Sequence, residues 1–414
     1  VLTVILIILV VPLLLSRSLH SSPSSENETF KPERKILILS SNGGYGHMAA
    51  ANTLKSILSS RYDIKVVYPI DQLRIWGVRS GEQVYNFMLQ FGWIRSMNVI
   101  TKYLAPRLFK TRKKKIEQMV SRYIGLEKPD LVISLIPYVN FPASEAARKS
   151  GVPYLLITTD NDLRNWVHGL HKVTHPNFKV TIGSDLPSTR DLLKQRKISD
   201  KCIETIGLPL RPDFKAGKSL AELYRQYHVP SDKPVILIIM GGAGAQSALN
   251  YAKKVGRSDL GAHMIIVAGK NEKLAKRLNK IKLHPSNSMT VMGFTDKISD
   301  LMALADIVIT KPGPGTINEA LSMQVPVLID NTHVPLSWEK ANIDLVVRYG
   351  VGEKIKNYGE AKELVSKYLK DPARKKNIEE AFSRVPPNQF QEKIPQIIDS
   401  MLLPQISDKR VSSI

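Results

Sequence analysis

At 414 residues the chain is long for a single hydrophobic core, so two domains are the first expectation, and 43% hydrophobic with 23% charged residues place it among ordinary globular proteins. One cysteine, Cys202, excludes an internal disulfide and fits a reducing compartment, and no Cys/His spacing suited to a metal cluster occurs. The 59 Lys+Arg against 37 Asp+Glu leave a net charge of +22, which suits a polyanionic neighbour; without a zinc-finger, RNA-recognition or basic-zipper pattern, an anionic membrane face is favoured over nucleic acid.

In chain order, Val1–Leu15 is apolar except for Thr3 and Pro12 and ends at Ser16, Arg17 and Ser18. It is shorter than the roughly 20 residues that cross a bilayer as a helix, and it reads as an uncleaved signal-anchor, a cleaved signal or an artefact of the start site. The Ser/Pro/Glu/Lys-rich stretch from Leu19 to Arg34 reads as a tether, so residues 1–33 form an anchor and linker. Residues 34–212 and 213–414 are then two α/β domains, joined by a connector at Leu208–Lys218 that Pro209 and Pro212 stiffen.

The first domain opens with a strand at Lys35–Ser40, a helix at Met48–Ser60 and a strand at Ile64–Tyr68. Between strand and helix, the run Ser41–His47 carries Gly43 and Gly44, whose lack of a side chain lets backbone approach a ligand. His47 stands at the helix start, which lowers its proton affinity and favours the neutral imidazole of a general base; the plain alternative is that it caps or packs.

From Val84 to Lys115 the chain holds Phe87, Met88, Phe91, Trp93, Ile94, Met97, Ile100, Tyr103 and Leu104 with eight Lys/Arg, among them Arg95 and Lys102, and no acid. Such a run suits insertion among anionic head groups, each cation near the surface adding about 1 kcal/mol; a core helix pair with a solvated basic turn is the alternative. Strands at Asp130–Leu135, Tyr154–Thr158 and Lys179–Ile182 continue the sheet. Asp160 follows a strand on the edge where catalytic groups belong and rivals His47 as base, with Asp162 a weaker option. Trp166 and His168 follow closely.

Strands at Val235–Met240, Met264–Ala268, Met289–Met292, Asp306–Thr310 and Val325–Ile329 build the second sheet. Two glycine loops open helices there: Gly241, Gly242, Gly244 and Ser247 in one, Gly313, Gly315 and Thr316 in the other. Uncommitted backbone N–H groups at such helix starts face an anion. Glu319 is read on the first turn of a helix from about Ile317. Beyond Lys356 the pattern is helical to about Leu403, broken at Pro386–Pro387.

These segments, SSNGGYGHMAAANTL, PDLVISLIPYVN, PYLLITTD with WVH, IGLPLRPDF, IMGGAGAQS, IIVAGKNEKL, and Gly293–Asn342 with its PGPGTINEA and SWEKAN, resemble glycosyltransferase family 28 in the same order along the chain. The lipid-directed members, the monogalactosyldiacylglycerol synthases and processive diacylglycerol glucosyltransferases, fit best. The resemblance implies the GT-B architecture: two doubly wound, Rossmann-like α/β domains facing across a cleft, with the last helix crossing back to the first.

It further implies inverting, metal-independent transfer of a hexose from a UDP-sugar to a lipid hydroxyl, diacylglycerol being the first expectation, on the cytoplasmic membrane face. Gly241, Gly242, Gly244, Ser247, Gly269, Asn271, Gly313, Gly315 and Thr316 are expected on the donor, Phe294 and Thr295 at the uracil, Glu319 on the ribose, and Glu339 and Asn342 on the sugar. Gly43, Gly44, Trp93, Arg95, Lys102, Trp166 and His168 are expected on the acceptor and membrane side, with His47 or Asp160 as base. Two residues depart from the pattern: Trp338 stands where the family has glutamine, and Pro137 where the plastid synthases have histidine. The sugar therefore stays open among galactose, glucose and N-acetylglucosamine. A UDP-sugar 2-epimerase and a non-catalytic membrane- or nucleic-acid-binding protein are the rival readings.

Overall fold

The computed structural model describes residues 34–42, 45–72, 88, 93–214, 218–242 and 244–403. The expected anchor and tether, together with Gly43, Gly44, Phe87 and Phe91, lie outside the described residues.

Two six-stranded sheets organise the chain. The first holds β1 (Lys35–Leu39), β2 (Asp63–Val67), β3 (Leu131–Ser134), β4 (Tyr154–Ile157), β5 (Phe178–Ile182) and β6 (Ile203–Thr205). The second holds β7 (Val235–Ile239), β8 (His263–Val267), β9 (Ser288–Met292), β10 (Ile307–Thr310), β11 (Val327–Asp330) and β12 (Gly352–Ile355). All pairings are parallel. Central strands such as VILII and LVIS are buried along their whole length, because helices cover both faces of a parallel sheet and leave no polar side.

The strand orders locate the ligand crevices. In the first sheet the order is β2-β1-β3-β4-β5-β6, so connectivity reverses between β1 and β3; in the second it is β12-β11-β10-β7-β8-β9, reversing between β7 and β10. Open α/β sheets bind ligands outside the carboxyl ends of their strands at such reversals. Leu39 pairs with Ser134, and Ile239 with Thr310, so at each reversal the two strands end level and their loops leave side by side.

The Phe390–Leu402 helix returns to the first sheet, so the second domain does not extend to the end of the chain. Its apolar stripe of Phe390, Ile394, Ile397, Ile398 and Met401 is buried with Ile36, Ile38, Leu54 and Leu58. Arg61 and Tyr62 both bond Asp399 on its other side. The helices Glu360–Lys370 and Pro372–Phe382, by contrast, bury Leu364, Val365, Ile378 and Phe382 in the second core.

Two helices begin earlier than expected. The first spans Tyr45–Leu58, which puts His47 inside its first turn, and another spans Pro314–Ser322, which puts Glu319 in its second turn rather than its first. Pro314 explains the latter shift: proline fits the first helical position, where its missing N–H costs nothing. The basic aromatic segment folds as a helix at Ile94–Val99, a π turn at Ile100–Leu104, and helices at Ala105–Thr111 and Lys113–Glu127. Met97 turns inward while Val99, Tyr103 and Leu104 stay exposed, along with Arg95 and Lys102.

Candidate active site

The β4 end supplies one wall of the cleft. Thr158 and Thr159 are buried, Thr158 Oγ1 bonding the Thr181 carbonyl at 2.9 Å, and the chain then delivers Asp160 to the carboxyl edge, half-buried. Trp166 Nε1 donates to Asp160 Oδ2 at 3.1 Å. His47 lies beside the same indole, ring centres 6.1 Å apart, with Nδ1 3.3 Å from Thr159 Oγ1.

Burial acts on the two candidate bases in opposite directions, because it penalises whichever form is charged. It carries the His47 imidazole down to about 4, opposed by a hydrogen bond to backbone at Leu135. Desolvation is the largest cause. Burial carries the Asp160 carboxyl up to about 7, opposed by the Trp166 hydrogen bond and reinforced by the negative charges of Asp162 and Glu339. Asp162 is engaged bidentately by Arg164, with Nε 3.0 and 2.8 Å from its oxygens, which removes it as a rival base.

Trp166, expected on the acceptor side, is 1% exposed, and its indole N–H goes to Asp160. His168 stacks on Tyr138 at 5.1 Å, and Tyr138 on Phe109 at 5.2 Å, so a three-ring column flanks the cleft. Trp93 is 54% exposed, and Lys102 Nζ lies 5.0 Å over the Tyr103 ring.

Across the cleft, the loops after β7 and β10 make a cradle. Gly241, at φ 87°, and Gly313 both lie against the Lys311 side chain: a Cβ on either would come within 3.2 and 3.4 Å of its Cε. Lys311 was not legible as a site residue beforehand, although its place directly after β10 was the available signal. The helices Gln246–Gly256 and Pro314–Ser322 start without a side-chain cap; the Ala248 N–H bonds the Ala245 carbonyl and Pro314 has none, so the first-turn N–H groups of Ser247, Gly315 and Thr316 are left for a ligand. Gly315 has open space where a Cβ would be.

Gly244 and Gly269 are required by packing instead. A Cβ on Gly244 would stand 2.0 Å from the Ala268 carbonyl oxygen, and one on Gly269 2.4 Å from that of Gly242, so these two loops interlock. Asn271 caps the Glu272–Leu278 helix through the Leu274 N–H at 2.9 Å. These three residues hold the cradle in shape. Ser247 and Thr316 are half-buried at the two helix starts.

Glu319 is 9% exposed and paired with Arg211 of the connector, Nη2 and Nε standing 2.8 and 3.0 Å from Oε1. Burial raises its proton affinity and Arg211 opposes that. Sequence reading missed Arg211, because nothing local to IGLPLRPDF points at a carboxylate in the other domain. Phe294 is 56% exposed, with Lys270 Nζ 5.1 Å over its ring, and Thr295 Oγ1 accepts from the Lys297 N–H at 3.0 Å.

Glu339 is buried, 3.4 Å from Lys311 Nζ. Asn342 is fully buried, and both ends of its amide are engaged: Nδ2 donates to the Pro312 carbonyl and Oδ1 accepts from Asn161 Nδ2, each at 2.9 Å. It joins the two domains, and a sugar would have to displace one of these bonds to reach it.

Two parallel Rossmann-type domains, one with the glycine-lined Lys311 cradle at its reversal point and the other with a carboxyl that burial lifts to about 7, make the GT-B architecture of glycosyltransferases. Comparison with known proteins agrees. Residues 235–399 match the glycosyltransferase family 28 C-terminal domain. The processive diacylglycerol beta-glucosyltransferase of Bacillus pumilus is 27% identical over 355 residues, covering 82% of this chain and 87% of the relative. The chloroplastic monogalactosyldiacylglycerol synthase of Spinacia oleracea is 25% identical over 368 residues, 84% of this chain and 68% of that protein.

Among solved structures, MurG of Acinetobacter baumannii superposes with a TM-score of 0.56 at 16% identity, over 89% of this chain and all (100%) of that one. UGT71G1 of Medicago truncatula, complexed with UDP-glucose, gives 0.55 at 12%, over 89% and 98%. The second domain thus carries the family 28 C-terminal fold, and along most of its length the chain resembles that family's diacylglycerol glycosyltransferases.

Proposed function

We propose that the enzyme transfers a hexose, with inversion, from a UDP-sugar to the hydroxyl of a diacylglycerol-type lipid at the cytoplasmic face of a membrane. The carrying observation is Asp160, a carboxyl with a proton affinity near neutrality, opposite the Lys311 cradle. The acceptor hydroxyl oxygen attacks the anomeric carbon while the bond from that carbon to the diphosphate oxygen breaks. UDP leaves with the electron pair, and Asp160 takes the hydroxyl proton. In this reading Lys311, the open N–H groups of the two helix starts and their dipoles stabilise the departing diphosphate, and no metal is called on for that charge.

Glu319 holds the ribose diol and Glu339 the sugar. His47, neutral at physiological pH, packs beside Trp166 and keeps Asp160 in place. The exposed Trp93, Val99, Tyr103 and Leu104 with Arg95 and Lys102 support seating on an anionic surface. Among the described residues no helix is long and apolar enough to cross a membrane.

Incubation of the protein with diacylglycerol-containing liposomes and radiolabelled UDP-glucose, UDP-galactose or UDP-N-acetylglucosamine, followed by lipid extraction, tests the reading. Labelled lipid from one donor is the expected result; label released only as free sugar would overturn the lipid acceptor. Lys311→Ala is expected to weaken UDP about tenfold while leaving uridine unchanged, since a charge-assisted contact to phosphate contributes roughly 1.5 kcal/mol or more. Calorimetry with both ligands reads that ratio.

A further inference from the structure

One short segment lies between the domains and belongs to neither sheet: the Ile94–Val99 helix with its π turn. Asn98, in its middle, grips the loop before the 340–349 helix by both ends of its amide. Nδ2 donates to the Pro335 carbonyl at 3.1 Å, and Oδ1 accepts from the Ser337 N–H at 2.8 Å. A primary amide is the side chain that can satisfy a backbone donor and acceptor together. Around it, Met88, Met97 and Leu336 are buried in one apolar cluster with Ile94, Ile100 and Trp338.

The segment is anchored from the first domain as well. Tyr138 Oη donates to the Thr101 carbonyl at 3.0 Å, from a backbone held at φ 67°, a conformation that a residue with a bulky side chain rarely adopts. Its ring is fixed between Phe109 and His168. Arg164, already paired with Asp162, donates to the Ser337 carbonyl. Both backbone groups of Ser337 are therefore held by side chains of the first domain. Two residues on, the Glu339 N–H bonds the Leu336 carbonyl at 2.9 Å, so the grip on Pro335–Ser337 carries directly to Glu339.

We propose that Asn98 is a positioning residue for the sugar of the donor: it fixes the Pro335–Ser337 loop, which places Glu339, and so it governs how much more tightly the site holds a UDP-sugar than UDP. Asn98 touches neither the cradle nor Glu319 and reaches Lys311 only through Glu339, whose Oε1 lies 3.4 Å from Lys311 Nζ, so the nucleotide feels its loss less than the sugar does. The inference rests on the assignment of a UDP-sugar donor made above.

Calorimetric titration of the full chain with UDP, UDP-glucose, UDP-galactose and UDP-N-acetylglucosamine tests it. With Asn98→Ala, UDP affinity should stay within about twofold, whereas the preferred UDP-sugar should weaken about tenfold, the usual size of a lost pair of hydrogen bonds. In turnover the KM for UDP-sugar rises and that for diacylglycerol does not. Tyr138→Phe, which removes the other anchor, should shift the same ratio in the same direction by about threefold.

If Asn98→Ala fails to fold, as thermal unfolding would reveal, Asn98→Asp decides instead: it keeps the acceptor for Ser337 and loses the donor to Pro335. Equal weakening of UDP and UDP-sugar, or no change in either, overturns the proposal. A parent protein that binds neither UDP nor UDP-sugar overturns the donor assignment itself, an outcome distinct from failure of the Asn98 role.

Discussion

Asp160→Asn is expected to lower turnover by about a hundredfold to ten-thousandfold, the range general-base catalysis contributes, while UDP still binds. An amide of the same shape keeps the bond from Trp166 yet accepts no proton. With Asp160 as base, kcat/KM of the parent rises with pH through about 7, the value to which burial lifts the carboxyl. A profile flat from pH 5.5 to 9 would instead assign the proton to His47, whose value near 4 lies below that window. His47→Ala is expected to cost about tenfold, through loss of packing beside Trp166.

The same substitution has a stability signature of definite sign. The folded carboxyl binds a proton up to about pH 7, whereas in an unfolded chain it releases it near its ordinary value of 3.8. Between those values the folded state holds more protons, so folding weakens as pH rises from about 4 to 7, and the penalty is complete above 7. Asp160→Asn should therefore be more stable than the parent at pH 8, by at most about 4 kcal/mol, and no more stable at pH 4. His47 acts in the opposite sense: burial disfavours its protonated form, so its contribution is lost as pH falls from 6.5 towards 4. Melting curves at pH 4, 6 and 8 separate the two.

Glu319→Ala is expected to weaken UDP about tenfold to a hundredfold, the cost of removing a carboxylate that bonds a diol. The sharper readout is a ratio. The parent should prefer UDP to 2′-deoxy-UDP, and the variant should bind the two alike, because without the carboxylate the 2′-hydroxyl has no contact left to lose. Arg211 complicates the absolute value: both of its contacts go to Oε1, the shorter at 2.8 Å, so the ribose bonds through Oε2 or shares Oε1 with the guanidinium. Removing the carboxylate also leaves a half-buried cation without its partner, so a modest loss of stability accompanies the loss of affinity. A preference for UDP over the deoxy form that survives in the variant would exclude Glu319 from the ribose.

The sheets were legible because a strand covered on both faces has no polar side, and VILII or YLLI reads as an unbroken apolar run. The edge strands β6 and β12 were not, since IET and GEKI are short and carry charged residues, as edges do. The glycine loops could be read as cradles from their place between strand and helix. Which glycines face a ligand and which merely interlock could not, because Gly244 is fixed by Ala268 and Gly241 by Lys311, and both relations are made by packing. Asn98, Arg164 and Arg211 escaped notice for one reason: each acts on a residue more than a hundred positions away, as with Asn98 and Pro335 at a separation of 237. Trp166 stood in a recognised motif, yet its burial and its bond to Asp160 are set by packing and could not be read from that motif.

The return of the Phe390–Leu402 helix makes the second domain an insertion, entered and left by two chain segments that run side by side. They meet at Gly207, at φ 94°, where a Cβ would stand 2.5 Å from Asn388, and they are stitched by the Gln389 N–H to the Ile206 carbonyl at 2.9 Å and by Asn388 Nδ2 to the Leu208 carbonyl at 2.9 Å. A door hung on two adjoining pins swings about one axis and resists twisting. Opening of the cleft should therefore follow a single path, and a bulky side chain at position 207 would jam it from a point remote from the cradle.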